Sequence, residues 1–234
     1  MDNFDIVFQD NRFLAGFTTR FGGISTGVYE SLNLADHVGD SLKCVAKNRQ
    51  ILATKIGVSS KRLKFMSQIH SNRVEILRNF DEKIPPCDGL ITNLIGVGLC
   101  VLVADCSPVL MLDTNKKVVA AVHAGRAGVV GKICSNAINL MKSEFGCKVS
   151  DLQIFIGANI KARNYEIGDL NLGYFNRYKI NNKFDMNTAL NDEFGALGVK
   201  EIKFDERCTF ESNELFSYRR DGTTGRFAGV IAIT

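Results

Sequence analysis

Between residues 99 and 122 the chain places three apolar runs, each too short for a helix and each separated from the next by polar residues. They are Leu99-Cys100-Val101-Leu102-Val103-Ala104, Val109-Leu110-Met111-Leu112 and Val118-Val119-Ala120-Ala121-Val122. Short runs rich in β-branched residues, with no polar residue at alternate positions, read as strands buried on both faces. A strand covered on both faces needs a layer of structure on each side, so these runs demand a layered fold. Residues 152–156 and 227–233 add two further strand runs, and Asp113-Thr114-Asn115-Lys116-Lys117 is a polar turn that predicts a hairpin between its flanking runs. Residues 63–66 and 74–77 flank a short polar stretch and read as a strand pair.

Helical spacing occurs elsewhere. Residues 45–56 carry apolar side chains at 45, 46, 51, 52, 53 and 56. Residues 130–145 place theirs largely on one face, with Gly146 as the C-cap, and residues 187–197 open on Asn187 and Thr188 as capping candidates. Strands and helices are mixed without a regular βαβ alternation. The expected class is α/β of the α+β type: a layered sandwich of mixed sheets flanked by helices. With three prolines, no repeat and no linker, residues 1–234 read as one domain, in which Pro85-Pro86 marks a loop.

Charge and cysteine usage exclude several function classes. Twenty-nine Lys and Arg against 25 Asp and Glu leave a net charge of +4, too weak an excess for a nucleic-acid or polybasic membrane protein. The longest apolar run is about six residues, far short of the ~20 that span a bilayer. The acidic start, Met1 to Asp5, shows no secretory signal. Seven cysteines with no CxxC spacing disfavour a zinc ribbon or a thioredoxin-like site, and predict reduced thiols in the cytoplasm.

The chain has three histidines, and two of them end predicted strands: Gln68-Ile69-His70-Ser71 and Val122-His123-Ala124-Gly125. A cysteine does the same in Ala104-Asp105-Cys106-Ser107-Pro108. Converging at one sheet edge, His70, Cys106 and His123 make a three-ligand zinc set whose fourth position stays open for water or substrate, as in catalytic sites. Gly125 and Gly128 would let backbone approach closely. Taken singly, a buried Cys is usually a packing residue and a His after a strand usually a structural one. The long separations also match no short zinc motif. A metal-free pair, in which His70 or His123 deprotonates Cys106 for acyl chemistry, uses the same residues, and spacing leaves both chemistries open. Asp105, beside a ligand, is either a buried structural carboxylate or a proton carrier.

Three polar features are weaker. Residues 18–27, with three glycines and several hydroxyls, form either a tight turn or an anion-binding nest. Arg219, Arg220 and Arg226 lie within eight positions and suit phosphate or carboxylate, or equally a surface ion-pair patch with Asp221 and Glu214. Asn48-Arg49, on the first predicted helix, is a solvated face or an anion clamp.

These motifs, taken in order, resemble the laccase-domain proteins, also called polyphenol-oxidase-like or multicopper-oxidase-like and described as purine nucleoside phosphorylases. The resemblance runs nearly end to end, through Thr18 to Ser25, Ser31-Leu32-Asn33-Leu34, His37-Val38-Gly39-Asp40, Asn48-Arg49, Gln68 to Ser71, Cys87 to Thr92, Ala104 to Val109, His123-Ala124-Gly125 and Phe216 to Asp221. It implies a layered α/β sandwich related to deamidating toxins with a Cys-His site, and a metal site made by His70, Cys106 and His123. It carries Asn33 and Arg49 into the same cleft. It implies Zn²⁺, with copper as the alternative, and phosphorolysis of adenosine, inosine, guanosine or methylthioadenosine, with adenosine deamination as a further activity. Small-molecule nucleoside and phosphate are then the expected partners, with Arg49 and either Arg220 or Arg226 placing phosphate and Asn33 orienting the nucleoside. Peptidoglycan-precursor editing by a Cys-His hydrolase, copper-dependent phenol oxidation, and nucleoside binding without turnover are the rival expectations. Two segments depart from the family pattern. His123-Ala124-Gly125-Arg126-Ala127-Gly128 has Arg and Ala where the family has Trp and Arg, and residues 157–168 lack the family's cysteines.

Overall fold

The computed structural model describes residues 3–234. Its two main sheets are both mixed. One has the order β1 (Phe4–Gln9), β2 (Phe13–Thr18), β13 (Phe227–Ile233), β6 (Val97–Val103), β3 (Leu63–Phe65), antiparallel throughout except for the parallel pair β3–β6. The other has the order β12 (Glu201–Phe204), β9 (Gln153–Ile156), β7 (Ser107–Asp113), β8 (Val118–Ala124), β5 (Gly89–Thr92), β4 (Val74–Ile76), with parallel pairs at both edges and antiparallel pairing in the middle. The helices are α1 (Leu42–Lys55), α2 (Arg126–Val130), α3 (Ile133–Phe145), α4 (Met186–Leu197) and α5 (Tyr218–Asp221). A small hairpin, β10 (Lys179–Ile180) and β11 (Lys183–Phe184), precedes α4.

The side-chain period of two explains why the central runs are apolar at every position. Leu99, Val101 and Val103 of β6 meet Leu110, Leu112, Val119 and Ala121 of the other sheet, together with Phe13, Phe17, Phe155 and Phe227. This is the core between the sheets. Cys100 and Leu102 point the other way, toward Leu52 and Ala53 of α1. Val109, Met111, Val118, Ala120 and Val122 cover the outer face of the second sheet and pack on Ile133, Ala137 and Met141 of α3 and Leu190 and Phe194 of α4. The order is helix, sheet, sheet, helix. Each fully buried Val or Leu contributes roughly 1.5–3 kcal/mol of transfer free energy, and the two-faced strands concentrate that gain at the centre.

The predicted β7–β8 hairpin forms, paired from Ser107 opposite Ala124 to Asp113 opposite Val118. Gly146 ends α3 in the left-handed region at φ +67, as a C-cap glycine should. Three expectations need correction. Segments 63–66 and 74–77 do not pair: β3 joins β6 in one sheet and β4 joins β5 in the other. The polar stretch between them crosses from sheet to sheet rather than turning back, and His70 lies on that crossing. The helix expected at 130–145 is broken at Gly131-Lys132, where Lys132 is left-handed (φ +57) and a Cβ on Gly131 would sit 2.9 Å from the Asn72 Cβ. The cap of α4 is Asp185, whose carboxylate accepts the Thr188 N–H (3.0 Å), rather than Asn187 or Thr188. Among the described residues no helix is long and apolar enough to cross a membrane.

Candidate metal centre

The β7–β8 register sets Pro108 opposite His123, so Cys106, one residue before β7 begins, reaches the same sheet edge as His123. The crossing between β3 and β4 brings His70 to that edge. Gln68 anchors the crossing by imitating a strand: its amide donates to the Leu102 carbonyl (2.8 Å) and accepts the Leu102 N–H (2.8 Å). One ligand atom each from His70, Cys106 and His123 lies within 4.8 Å of the others, with His70 exposed, Cys106 half-buried and His123 buried. The two imidazoles meet edge to face, their centroids 4.8 Å apart.

Asp88, fully buried at the start of the β5 segment, holds this arrangement together, and sequence reasoning assigned it no role. Its carboxylate accepts the backbone N–H groups of Ile69 (3.2 Å), His70 (3.0 Å) and Ser71 (2.7 Å) and the Ser71 hydroxyl (2.7 Å). These bonds clamp His70 in the left-handed region at φ +57, a conformation that persists only where its surroundings over-determine it. The same carboxylate accepts from His123 Nδ1 at 2.8 Å. That bond sets the tautomer and leaves Nε2 as the free lone pair, the carboxylate–histidine arrangement typical behind a metal ligand. The signal in the sequence was Cys87-Asp88-Gly89, an acidic residue leading into an apolar strand, but nothing local to it points to a histidine 35 positions on.

The electrostatics follow from this geometry. Burial pushes the Asp88 carboxyl up, but the hydrogen bonds from His123 and Ser71 outweigh it and hold the group well below the usual carboxylate range. Burial pushes the Cys106 thiol up, and the charge and hydrogen bonding of His123 and His70 reverse this and bring it down to about 6. Burial pushes the His123 imidazole down, and the Cys106 and Asp88 charges raise it to about 9. The surroundings of Cys106 therefore favour its thiolate form. Thiolate and imidazole are the donors zinc and copper prefer.

Gly125 completes the cradle. A Cβ there would lie 3.0 Å from Cys106 Sγ, 3.4 Å from His70 Cδ2 and 3.6 Å from His123 Cε1. Gly125→Ala is expected to lower metal affinity about tenfold, in the range of changes to groups that orient ligands. The melting temperature of the metal-free protein should stay within about 3 °C, because one methyl at a cavity edge disturbs little of the core. A metal-competition titration paired with a thermal melt checks both halves.

The trio forms part of the wall of a cavity of about 340 Å³, lined also by His37, Tyr165, Tyr218, Arg219 and Arg226. Arg226 lies on this wall. Its Nη1 donates to the Thr224 and Gly225 carbonyls (2.9 and 3.0 Å), leaving its other N–H groups for a ligand. Arg220 does not line it: its guanidinium is consumed by the Thr209, Ser212 and Leu215 carbonyls and by Asp221. Arg219, one residue earlier, takes that place at the wall. Asn33 and Arg49 are also not on the cavity wall. Asn33 is fully buried and bonded to Ala35, Asp40 and the Arg226 N–H. Arg49 donates to the Leu34 carbonyl, pairs with Asp36 and stacks on Phe65. Asp105 also lines the cavity, and its carboxylate accepts the Thr209 and Ser217 hydroxyls and the Arg219 N–H, which matches the structural reading of this residue. Residues 18–27 form the tight turn rather than a nest, with the Gly23 and Ile24 N–H groups taken by Ser31 and Asn48.

Other proteins are similar to this one in sequence and in architecture. The chain is 42% identical over 227 residues to a purine nucleoside phosphorylase of Corynebacterium glutamicum, covering 92% of each chain. It is 37% identical over 224 residues to one of Mycobacterium tuberculosis, covering 92% of this chain and 89% of that one. Among solved structures, YlmD from Geobacillus stearothermophilus superposes with a TM-score of 0.87 at 29% identity, covering 98% and 99% of the two chains. The Neisseria meningitidis protein NMB0706 does so with 0.86 at 30% identity, covering 99% of both. The sequence model of the multi-copper polyphenol oxidoreductase laccase family matches residues 14–234, nearly the whole sandwich and all three members of the His-Cys-His group. On fold, chain and site together, this protein belongs to that family.

Proposed function

We propose that residues 1–234 act as one catalytic domain, a zinc-dependent purine nucleoside phosphorylase that takes adenosine, inosine, guanosine or methylthioadenosine, with adenosine deamination as a second activity. The observation that carries this reading is the convergence of His70, Cys106 and His123, ligand atoms within 4.8 Å, on a cavity that two cationic and two phenolic side chains also line. The names of the relatives support the reaction class. Seven free thiols suit a reducing cytoplasm.

His70, Cys106 and His123 would hold the metal, which when bound supplies Lewis acidity for polarising an oxygen nucleophile. The rest is done by the chain. Arg226 and Arg219 place phosphate and neutralise it through N–H groups not taken by backbone carbonyls. Arg219 is itself held by the Glu166 carbonyl (2.9 Å) and lies 5.3 Å from the Tyr165 ring centroid. The Tyr165 and Tyr218 rings offer flat apolar surface for a purine. Asn33 and Arg49 act from behind the wall by holding the loop between β2 and α1.

A second reading has a specific observation in its favour. A thiol drawn down to about 6 beside an imidazole is what a metal-free Cys-His hydrolase or amidase needs. One experiment separates the readings. Protein purified without added metal is assayed for bound zinc and copper, and release of base from adenosine is followed with and without phosphate. We expect zinc, and release that requires phosphate and stops on chelation. Activity that survives chelation but not thiol alkylation supports the hydrolase. Bound copper with oxygen consumption on phenols supports the oxidase.

A further inference from the structure

The third histidine of the chain, His37, lines the same cavity as the metal centre. Its surroundings are unusual for an exposed loop residue, because buried and half-buried groups clamp the backbone on both sides of it. Asn33 binds both polar backbone atoms of Ala35 (3.0 Å each) and Asp40 (2.9 Å). Arg49 binds the Leu34 carbonyl (2.9 Å) and the Asp36 carboxylate (3.1 Å). The Tyr29 hydroxyl donates to the Val38 carbonyl, and Ser25 donates to Asp40, both at 2.6 Å. Asn33 also accepts the Arg226 N–H at 2.9 Å, which ties this loop to a second side of the cavity. What these clamps present is one imidazole. Its Nδ1 is 3.6 Å from Asp36, and its Nε2 has no hydrogen-bond partner among the described residues.

Resting on the phosphorolysis reading, the reaction has an unfilled post. When the bond between ribose C1′ and purine N9 breaks, both electrons leave with the base, and a proton delivered to purine N7 makes that departure easier. Among the proton-bearing groups on the wall, His70, Cys106 and His123 are committed to metal, and Asp105 is committed to Thr209, Ser217 and Arg219. Phenols and guanidiniums hold their protons near neutral pH, whereas an imidazole both carries and releases one. We propose that His37 is the catalytic acid that protonates the departing purine, and that Asn33 and Arg49 are positioning residues that hold its loop. In the balanced step, a phosphate oxygen forms the bond to C1′ and the C1′–N9 bond breaks. The His37 proton goes to N7, and the proton left on the new phosphate monoester returns through water to His37.

The test compares guanosine with 7-methylguanosine, whose base already carries a positive charge at the N7 side and needs no proton there. In His37→Gln, kcat for guanosine is expected to fall roughly 10²–10⁴-fold, the usual worth of a general acid, while kcat for 7-methylguanosine falls less than about threefold and zinc content is unchanged. Arg49→Met, which frees the loop, should show the same selective loss at smaller size. Equal losses on both substrates would make these residues phosphate or nucleoside binders and overturn the assignment. Loss of zinc in His37→Gln would make His37 a ligand and overturn it too. A wild-type enzyme that releases base from neither substrate defeats the phosphorylase reading first and this one with it. A wild-type active on both, with His37→Gln unaffected, defeats this one alone.

Discussion

Cys106→Ala is expected to lose its metal and its turnover while keeping its fold. Cys106 supplies the only thiolate among the three ligands, and an open site with three protein ligands cannot lose one and hold zinc tightly. Two imidazoles would remain, one of them exposed. Bound zinc should fall from one equivalent to under about a tenth, and phosphate-dependent base release by ~10³-fold or more, since Lewis-acid activation contributes several kcal/mol. Between the metal-free proteins, stability should differ by about 1 kcal/mol or less, because the half-buried sulfur leaves little cavity behind. The measurements are elemental analysis of the purified variant, a base-release assay and a thermal melt. A variant that retains stoichiometric zinc and full activity would place the ion elsewhere.

Asp88→Ala should be the most destabilising single change near the site. The carboxylate is fully buried and accepts from three backbone N–H groups, one hydroxyl and His123. Removing it strands all five donors, at a cost of ~3–5 kcal/mol, as for breaking a buried ion pair. That is a large share of the 5–15 kcal/mol that typically holds a domain folded. His70 loses the clamp on its left-handed backbone and His123 its tautomer, so metal affinity should also drop about 10–100-fold.

Asp88→Asn isolates the charge. The folded-state carboxyl titrates well below the usual range, so its contribution to stability is present above the unfolded value near 4 and is lost as pH falls below it. Denaturant titrations of the metal-free proteins should therefore find wild type more stable than Asp88→Asn at pH 7, with the gap closing as pH falls from about 4 toward 2. A gap independent of pH would mean that the carboxylate is not what stabilises the loop.

How much of this was readable in the chain differs from part to part. The central strands were legible because burial on both faces leaves an uninterrupted apolar run, and the helices because their apolar positions recur at 3.6. The strands β1, β2, β5 and β12 were not, since each is short or carries polar residues among its apolar ones, and β2, β5 and β12 pair with strands far along the chain. The partner of segment 63–66 was misread for the same reason: proximity along the chain suggested 74–77, but two sheets competed for those strands. At the site, His70, Cys106 and His123 were legible as scarce ligand-type residues, Cys106 and His123 at strand ends as read, whereas His70 lies on the crossing between β3 and β4 and not at the end of a strand. Asp88 was not, because a carboxylate that bonds backbone three ways looks in sequence like any other acidic residue. Arg219 and Arg220 are adjacent, and only the turn into α5 decides which of them reaches the cavity.

X-ray absorption at the zinc edge, on protein purified without added metal, tests the account most directly. The prediction is one zinc per chain with one sulfur at about 2.3 Å and two imidazole nitrogens at about 2.0–2.1 Å, the sulfur signal vanishing in Cys106→Ala. A zinc shell with no sulfur, or a fully active protein with no metal in it, would contradict the claim that His70, Cys106 and His123 form a working metal centre.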